Sequence, residues 1–150
     1  MKQLKGLIAF FAFVSVFAAC KKEYSREKDN GANTLSQWEF KEGATQYNGS
    51  VDTAFVDTTG GIQFLTIEGT SLDRSKKISL GVFSQDLKAG TYSSPTAFID
   101  FLDNGAVVYE SDITAIGQFT IVISKIDSIG VSGTFSGKVK DSNGNPKDVV

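Results

Sequence analysis

Between Val131 and Lys140 the chain changes character at every second residue. Val131, Gly133, Phe135, Gly137 and Val139 fall on one side, and Ser132, Thr134, Ser136, Lys138 and Lys140 on the other. A helix would scatter these residues around its axis, whereas a strand gathers each set on one face, so the run can bury its apolar set only as a strand. Phe119, Ile121 and Ile123 alternate in the same way with Gln118, Thr120, Val122 and Ser124, and Ile78, Leu80 and Val82 with Lys77, Ser79, Gly81 and Phe83. Less regular strand-like runs lie at Trp38 to Phe40, Tyr47 to Val56, Ile62 to Ile67, Ala97 to Leu102 and Ala106 to Glu110. From Lys21 onward no eleven-residue window shows a helical period.

The punctuation agrees. Asn104-Gly105 and Gly60-Gly61 each separate two apolar runs and tolerate the positive φ angles of a tight hairpin, and Asp127 to Gly130 links the Phe119 and Val131 runs. Short links of this kind make neighbouring strands antiparallel. The expected fold is therefore all-β, a single domain over residues 37–150 with eight or nine antiparallel strands. A sheet of that size curls into a barrel or splits into a sandwich to hide its edges. Phe119, Ile121, Ile123, Val131 and Phe135 are expected to point inward.

At the far end, Asp141-Ser142-Asn143-Gly144-Asn145-Pro146 reads as another hairpin turn, and only Lys147 to Val150 follow it. Four residues are too few for a typical strand of five to six. The sequence thus predicts that the domain lacks its last strand and leaves one sheet edge open.

The start of the chain carries an address. Lys2 and Lys5 precede an eleven-residue apolar run, Leu7 to Phe17, which ends in Phe17-Ala18-Ala19-Cys20. Charge, apolar run and small residues in this order are the signature of an export signal. As a helix the run would reach only about 16 Å, short of a ~30 Å hydrocarbon core, so it does not read as a membrane span. The last four residues resemble the lipobox of bacterial lipoproteins, with Phe17 where that pattern usually has Leu. The resemblance implies cleavage after residue 19 and acylation of Cys20. Cys20 is also the one cysteine of the chain, so an intramolecular disulfide is excluded, and lipidation accounts for an otherwise leftover thiol in an exported protein. Two or more acyl chains hold a protein stably on a membrane. Residues 20–36, mixed in charge and nearly free of apolar side chains, are expected to act as a flexible tether. Lys21 follows the cysteine, unlike the inner-membrane retention signal of enterobacterial lipoproteins. The expected location is therefore the outer membrane, at its periplasmic face or the cell surface.

Loss of residues 1–19 removes two of the 15 basic residues and none of the 17 acidic ones, leaving 13 against 17. A net charge of −4 argues against nucleic acid as a partner and offers no basic patch for anionic headgroups, so membrane attachment falls to the lipid. Gly90-Thr91-Tyr92, Gly117-Gln118-Phe119-Thr120-Ile121, Lys125-Ile126-Asp127 and Val131-Ser132-Gly133-Thr134-Phe135-Ser136-Gly137 together resemble small uncharacterised β-rich lipoproteins of the Bacteroidota. That resemblance implies location and fold and no activity.

The chain has no histidine, and its cysteine is assigned to lipid. Histidine triads, Cys–His dyads and imidazole or thiolate zinc sites are therefore unavailable, and no cofactor is implied. Paired carboxylates for glycoside hydrolysis are offered by Asp100 with Asp103, Glu110 with Asp112, and Asp52 with Asp57. Asp141, Asn143 and Asn145 resemble the start of a calcium loop. Pro146 stands where that pattern needs glycine, and a hairpin turn explains them better. Trp38, Tyr47, Tyr92 and Tyr109 are candidates for an aromatic ligand platform, and a small barrel could enclose an apolar ligand. The reading that leads is non-enzymatic, a binding module for a glycan or small apolar ligand. An accessory subunit of an outer-membrane complex comes second and a carboxylate-dependent hydrolase third.

Overall fold

The computed structural model describes residues 36–150, so the expected signal, Cys20 and the expected tether up to Leu35 lie outside the described residues. Ten strands follow in chain order: β1 (Gln37–Glu42), β2 (Thr45–Thr59), β3 (Ile62–Thr70), β4 (Lys76–Ser84), β5 (Gly90–Ser93), β6 (Ala97–Asp103), β7 (Ala106–Glu110), β8 (Phe119–Ile126), β9 (Val131–Asp141) and β10 (Pro146–Val149). They form one antiparallel sheet in the order β10-β1-β2-β3-β4-β6-β7-β9-β8-β5, and β10 also pairs with β9. Eight strands thus close a ring, from which β8 and β5 branch. Closure answers the edge problem of a long sheet.

The turns form where the sequence places them. Asn104 and Gly105 have φ of 49° and 83°, and Gly60 and Gly61 have 60° and 81°, the paired positive angles of a type I′ hairpin. The alternation also holds: Phe119, Ile121, Ile123, Ile78, Leu80, Val82 and Val139 are buried, while Val131 and Phe135 are half-buried against the same core. Two strands escape the period-two reading. β5 is four residues long, and β10 begins at a proline.

Aromatic rings fill the interior of the ring of strands. Phe101 lies edge-on to Trp38, Phe40 and Tyr47, with centroids 6.0, 5.0 and 4.9 Å away, and stacks on Tyr109 at 6.0 Å. Offset and edge-on pairs of this kind add about 0.5–1.5 kcal/mol each to the burial of the rings. Trp38 fits because its neighbours on β2 and β3 are glycines: a Cβ on Gly49 or Gly69 would fall 2.6 or 2.5 Å from indole carbons.

The expected open edge is half closed. β10 lies between β9 and β1, pairing Pro146 through Val149 with Lys140 back to Gly137, and Val149 with Glu42. Val149 is fully buried. Above β10, Val131 to Ser136 of β9 and Gln37 to Phe40 of β1 have no strand between them among the described residues.

Candidate functional site

The four aromatic residues singled out from sequence part company in the structure. Trp38 and Tyr109 are core residues, 5 % and 7 % exposed, and Tyr47 is half-buried against them. The Trp38 indole N–H donates to the Ser50 carbonyl at 3.1 Å. The Tyr47 and Tyr109 hydroxyls lie 3.3 Å apart, and Tyr109 donates to Glu42 Oε2 at 3.3 Å. Burial, then the Tyr47 hydroxyl and the Glu42 charge, push the Tyr109 phenol above its ordinary range. These three residues bury their rings and satisfy their polar tips, so they do not form a ligand platform. Phe40 and Phe101 are buried among the same rings.

Tyr92 is different. It stands on β5 and lines an open recess of about 390 Å³ with Ile62, Phe83, Ser84, Gln85 and Thr96. The recess lies where β3 begins, β4 ends and the chain turns into β6. Its walls are fixed by local hydrogen bonds. The Tyr92 hydroxyl donates to the Lys88 carbonyl at 2.8 Å and accepts from the Lys88 amide at 3.0 Å, and Gln63 Oε1 accepts from the Leu87 amide at 2.8 Å. The Phe83 amide donates to the Thr96 carbonyl at 3.0 Å. Phe64, on the solvent side of β3, continues the surface with its ring 6.0 Å from that of Phe83. The recess therefore offers two aromatic rings and an aliphatic side chain beside neutral hydroxyl and amide groups.

A second recess of about 300 Å³ gathers carboxylates: Phe98, Asp100, Glu110, Ser111, Asp112, Ile113 and Lys140 line it. The structure brings together one member of the first sequence pair and both of the second. Asp100 and Glu110 face each other directly across β6 and β7, a like-charge arrangement that costs stability. Burial, and secondarily Glu110, raise the Asp100 carboxyl above its ordinary 3.8. Asp112 is held well below that value by Lys140, 2.7 Å away, and by the Thr114 hydroxyl and amide. Asp100 and Glu110 are side-by-side neighbours on one sheet surface.

The remaining sequence candidates line neither recess. Asp103 pairs with Lys76 at 3.3 Å, Asp52 accepts from the Thr70 hydroxyl at 3.2 Å, and Asp57 lies on β2 opposite Phe64. Asp141 Oδ1 accepts from the Asn143 and Asn145 amides at 2.9 Å, so it caps the hairpin turn in which Gly144 takes a φ of 79°. Sequence reasoning missed Ile62, Phe83, Gln85 and Thr96. The signal for Phe83 was present, since it is an aromatic residue on the polar side of the Ile78 alternation. No protein-family model, curated protein or solved structure matches the chain.

Proposed function

We propose that the chain is an exported, non-catalytic binding module that holds a neutral glycan in the Tyr92–Phe83 recess and is anchored to the outer membrane by lipid on Cys20. The observation that carries the glycan reading is the pairing of the Phe83 and Tyr92 rings with Ser84, Gln85 and Thr96 in one open recess. A sugar ring presents an apolar C–H face and a rim of hydroxyls, and a site with aromatic walls and a few neutral hydrogen-bonding groups complements both. The two bonds from Tyr92 to Lys88 hold its ring in place before a ligand arrives, which lowers the ordering cost of binding. The anchor rests on the lipobox-like Phe17-Ala18-Ala19-Cys20 and the short apolar run before it.

Affinity electrophoresis through gels carrying neutral polysaccharides, among them α- and β-glucans, xylan and mannan, tests the reading. Retardation of the parent in at least one gel, abolished by Phe83→Ala and Tyr92→Ala, is the expected result. Unretarded migration in all of them would sink it.

A further inference from the structure

The Tyr92–Phe83 recess is one end of a longer row of side chains. Asp57 on β2 is the register partner of Phe64 on β3, and Phe64 that of Phe83 on β4. The Phe83 amide donates to the Thr96 carbonyl at 3.0 Å, which carries the same line to the turn before β6. Residues directly opposite one another on antiparallel strands share a face. Leu65 and Val82, the chain neighbours of the two phenylalanines, are buried in the core, so this row looks outward. It runs across the strands and spans three strand spacings, about 14 Å.

The two rings at its centre lie 6.0 Å apart and are inclined by 34°, and Phe64 is 37 % exposed. Groups able to bond a hydroxyl stand at both ends. Asp57 and Gln85 are exposed, and neither makes a side-chain hydrogen bond among the described residues. The Thr96 hydroxyl donates to the Ser93 carbonyl at 2.9 Å and keeps its lone pairs for an incoming donor. None of these residues is cationic, and Asp57 repels an anion at its end of the row. Residues 20–36 hold little that this face could bury: beside Cys20, their apolar side chains are Tyr24, Ala32 and Leu35.

We infer that the row is an extended track for a linear, neutral polysaccharide, bound along its length as it crosses β4, β3 and β2. The inference rests on the glycan reading of the recess and adds the direction, length and charge of the ligand. A sugar unit in a linear chain is about as long as one strand spacing. Successive units therefore fall between Tyr92 and Thr96, on Phe83, on Phe64 and beside Asp57. The Asp57 carboxylate accepts from sugar hydroxyls, and such charge-assisted bonds are stronger than neutral ones. A chain of uronic acids meets the same carboxylate with like charge and is rejected.

Calorimetric titration of the full exported chain, extracted from membranes in detergent, tests the track. The probes are cello-, xylo-, manno- and malto-oligosaccharides of one to six units, with oligogalacturonates as the acidic series. In the series that binds, affinity should rise up to about four units and then level off, and galacturonates should not bind. Phe64→Ala should weaken the tetrasaccharide roughly three- to tenfold and leave the disaccharide unchanged, and Phe64→Tyr should restore the loss. Asp57→Asn should weaken the tetrasaccharide roughly two- to fivefold and again spare the disaccharide. If Phe83→Ala abolishes binding while Phe64→Ala and Asp57→Asn change nothing at any length, the track is refuted and the glycan recess stands. Equal weakening of disaccharide and tetrasaccharide by Phe64→Ala would also refute it, since the ring would then act on the recess. So would affinity that saturates at the disaccharide, or tighter binding of galacturonates. Absence of binding to every oligosaccharide and polysaccharide overturns the track and the glycan reading together.

Discussion

The indole of Trp38 occupies the place where a side chain on Gly69 would have to stand: a Cβ built there falls 2.5 Å from indole Cδ1. One residue supplies the bulk for both strands, so the core at this point is set by a large–small pair across β1, β2 and β3. Gly69→Ala should cost about 1–3 kcal/mol, the range for overpacking a filled core. Because Trp38 is the one tryptophan in the chain, its fluorescence reports the site directly. The variant should show red-shifted emission and a lower urea midpoint, and unchanged emission would mean the indole is not seated there.

The register of β8 and β9 predicts unequal effects from their two faces. Phe119 is fully buried, and Phe119→Ala should cost about 3–5 kcal/mol. Ser132 is exposed, and Ser132→Ala should stay within about 0.5 kcal/mol. Urea melts of the two variants side by side decide the matter.

The anchor is tested apart from the fold. Cys20→Ser should abolish incorporation of a fatty-acid analogue and release or stall the protein, because no other residue can form the thioether. Undiminished labelling of the variant would refute the assignment.

Stability should fall in acid, and Asp112 should be one of the reasons. The Lys140 ammonium, with the Thr114 hydroxyl and amide, lowers its carboxyl below the ordinary 3.8 in the folded chain. A depressed folded value means the carboxylate stabilises the fold above the unfolded value. That contribution is lost as pH falls from about 3.8 toward the folded value. Asp112→Asn should therefore melt at lower urea than the parent at pH 7, and the two midpoints should converge as pH is taken below 3.8. Asp100, raised mainly by burial, works the other way, and Asp100→Asn should gain relative to the parent as pH rises through the carboxylate range.

How much of this was legible follows from which physical signals a sequence carries. β4, β8 and β9 bury one face each, and Ile78, Phe119 and Val139 stand at the alternate positions that burial demands. The Asn104-Gly105 and Gly60-Gly61 turns announce themselves because few other residues take their φ angles. β5 and β10 are too short for a period of two to register. At the candidate site only Tyr92 was named in advance. Trp38, Tyr47 and Tyr109 have the same amphipathic rings, and whether such a ring faces the core or a recess is settled by neighbours on other strands, Phe101 and Gly69 among them. Asp100 and Glu110 meet through β6–β7 pairing, and that meeting is invisible until the register is known.

A nuclear magnetic resonance titration of the mature chain shows whether Phe83 and Tyr92 form the walls of a glycan site. With a neutral oligosaccharide of the type that retards the protein, resonances of Ile62, Phe83, Gln85, Tyr92 and Thr96 should shift together along one saturable curve. Signals of Trp38, Tyr47 and Tyr109 should not move. A saturable response confined to the Asp100–Glu110 recess, or none in the Tyr92 recess at millimolar ligand, would mean that Phe83 and Tyr92 do not hold a glycan.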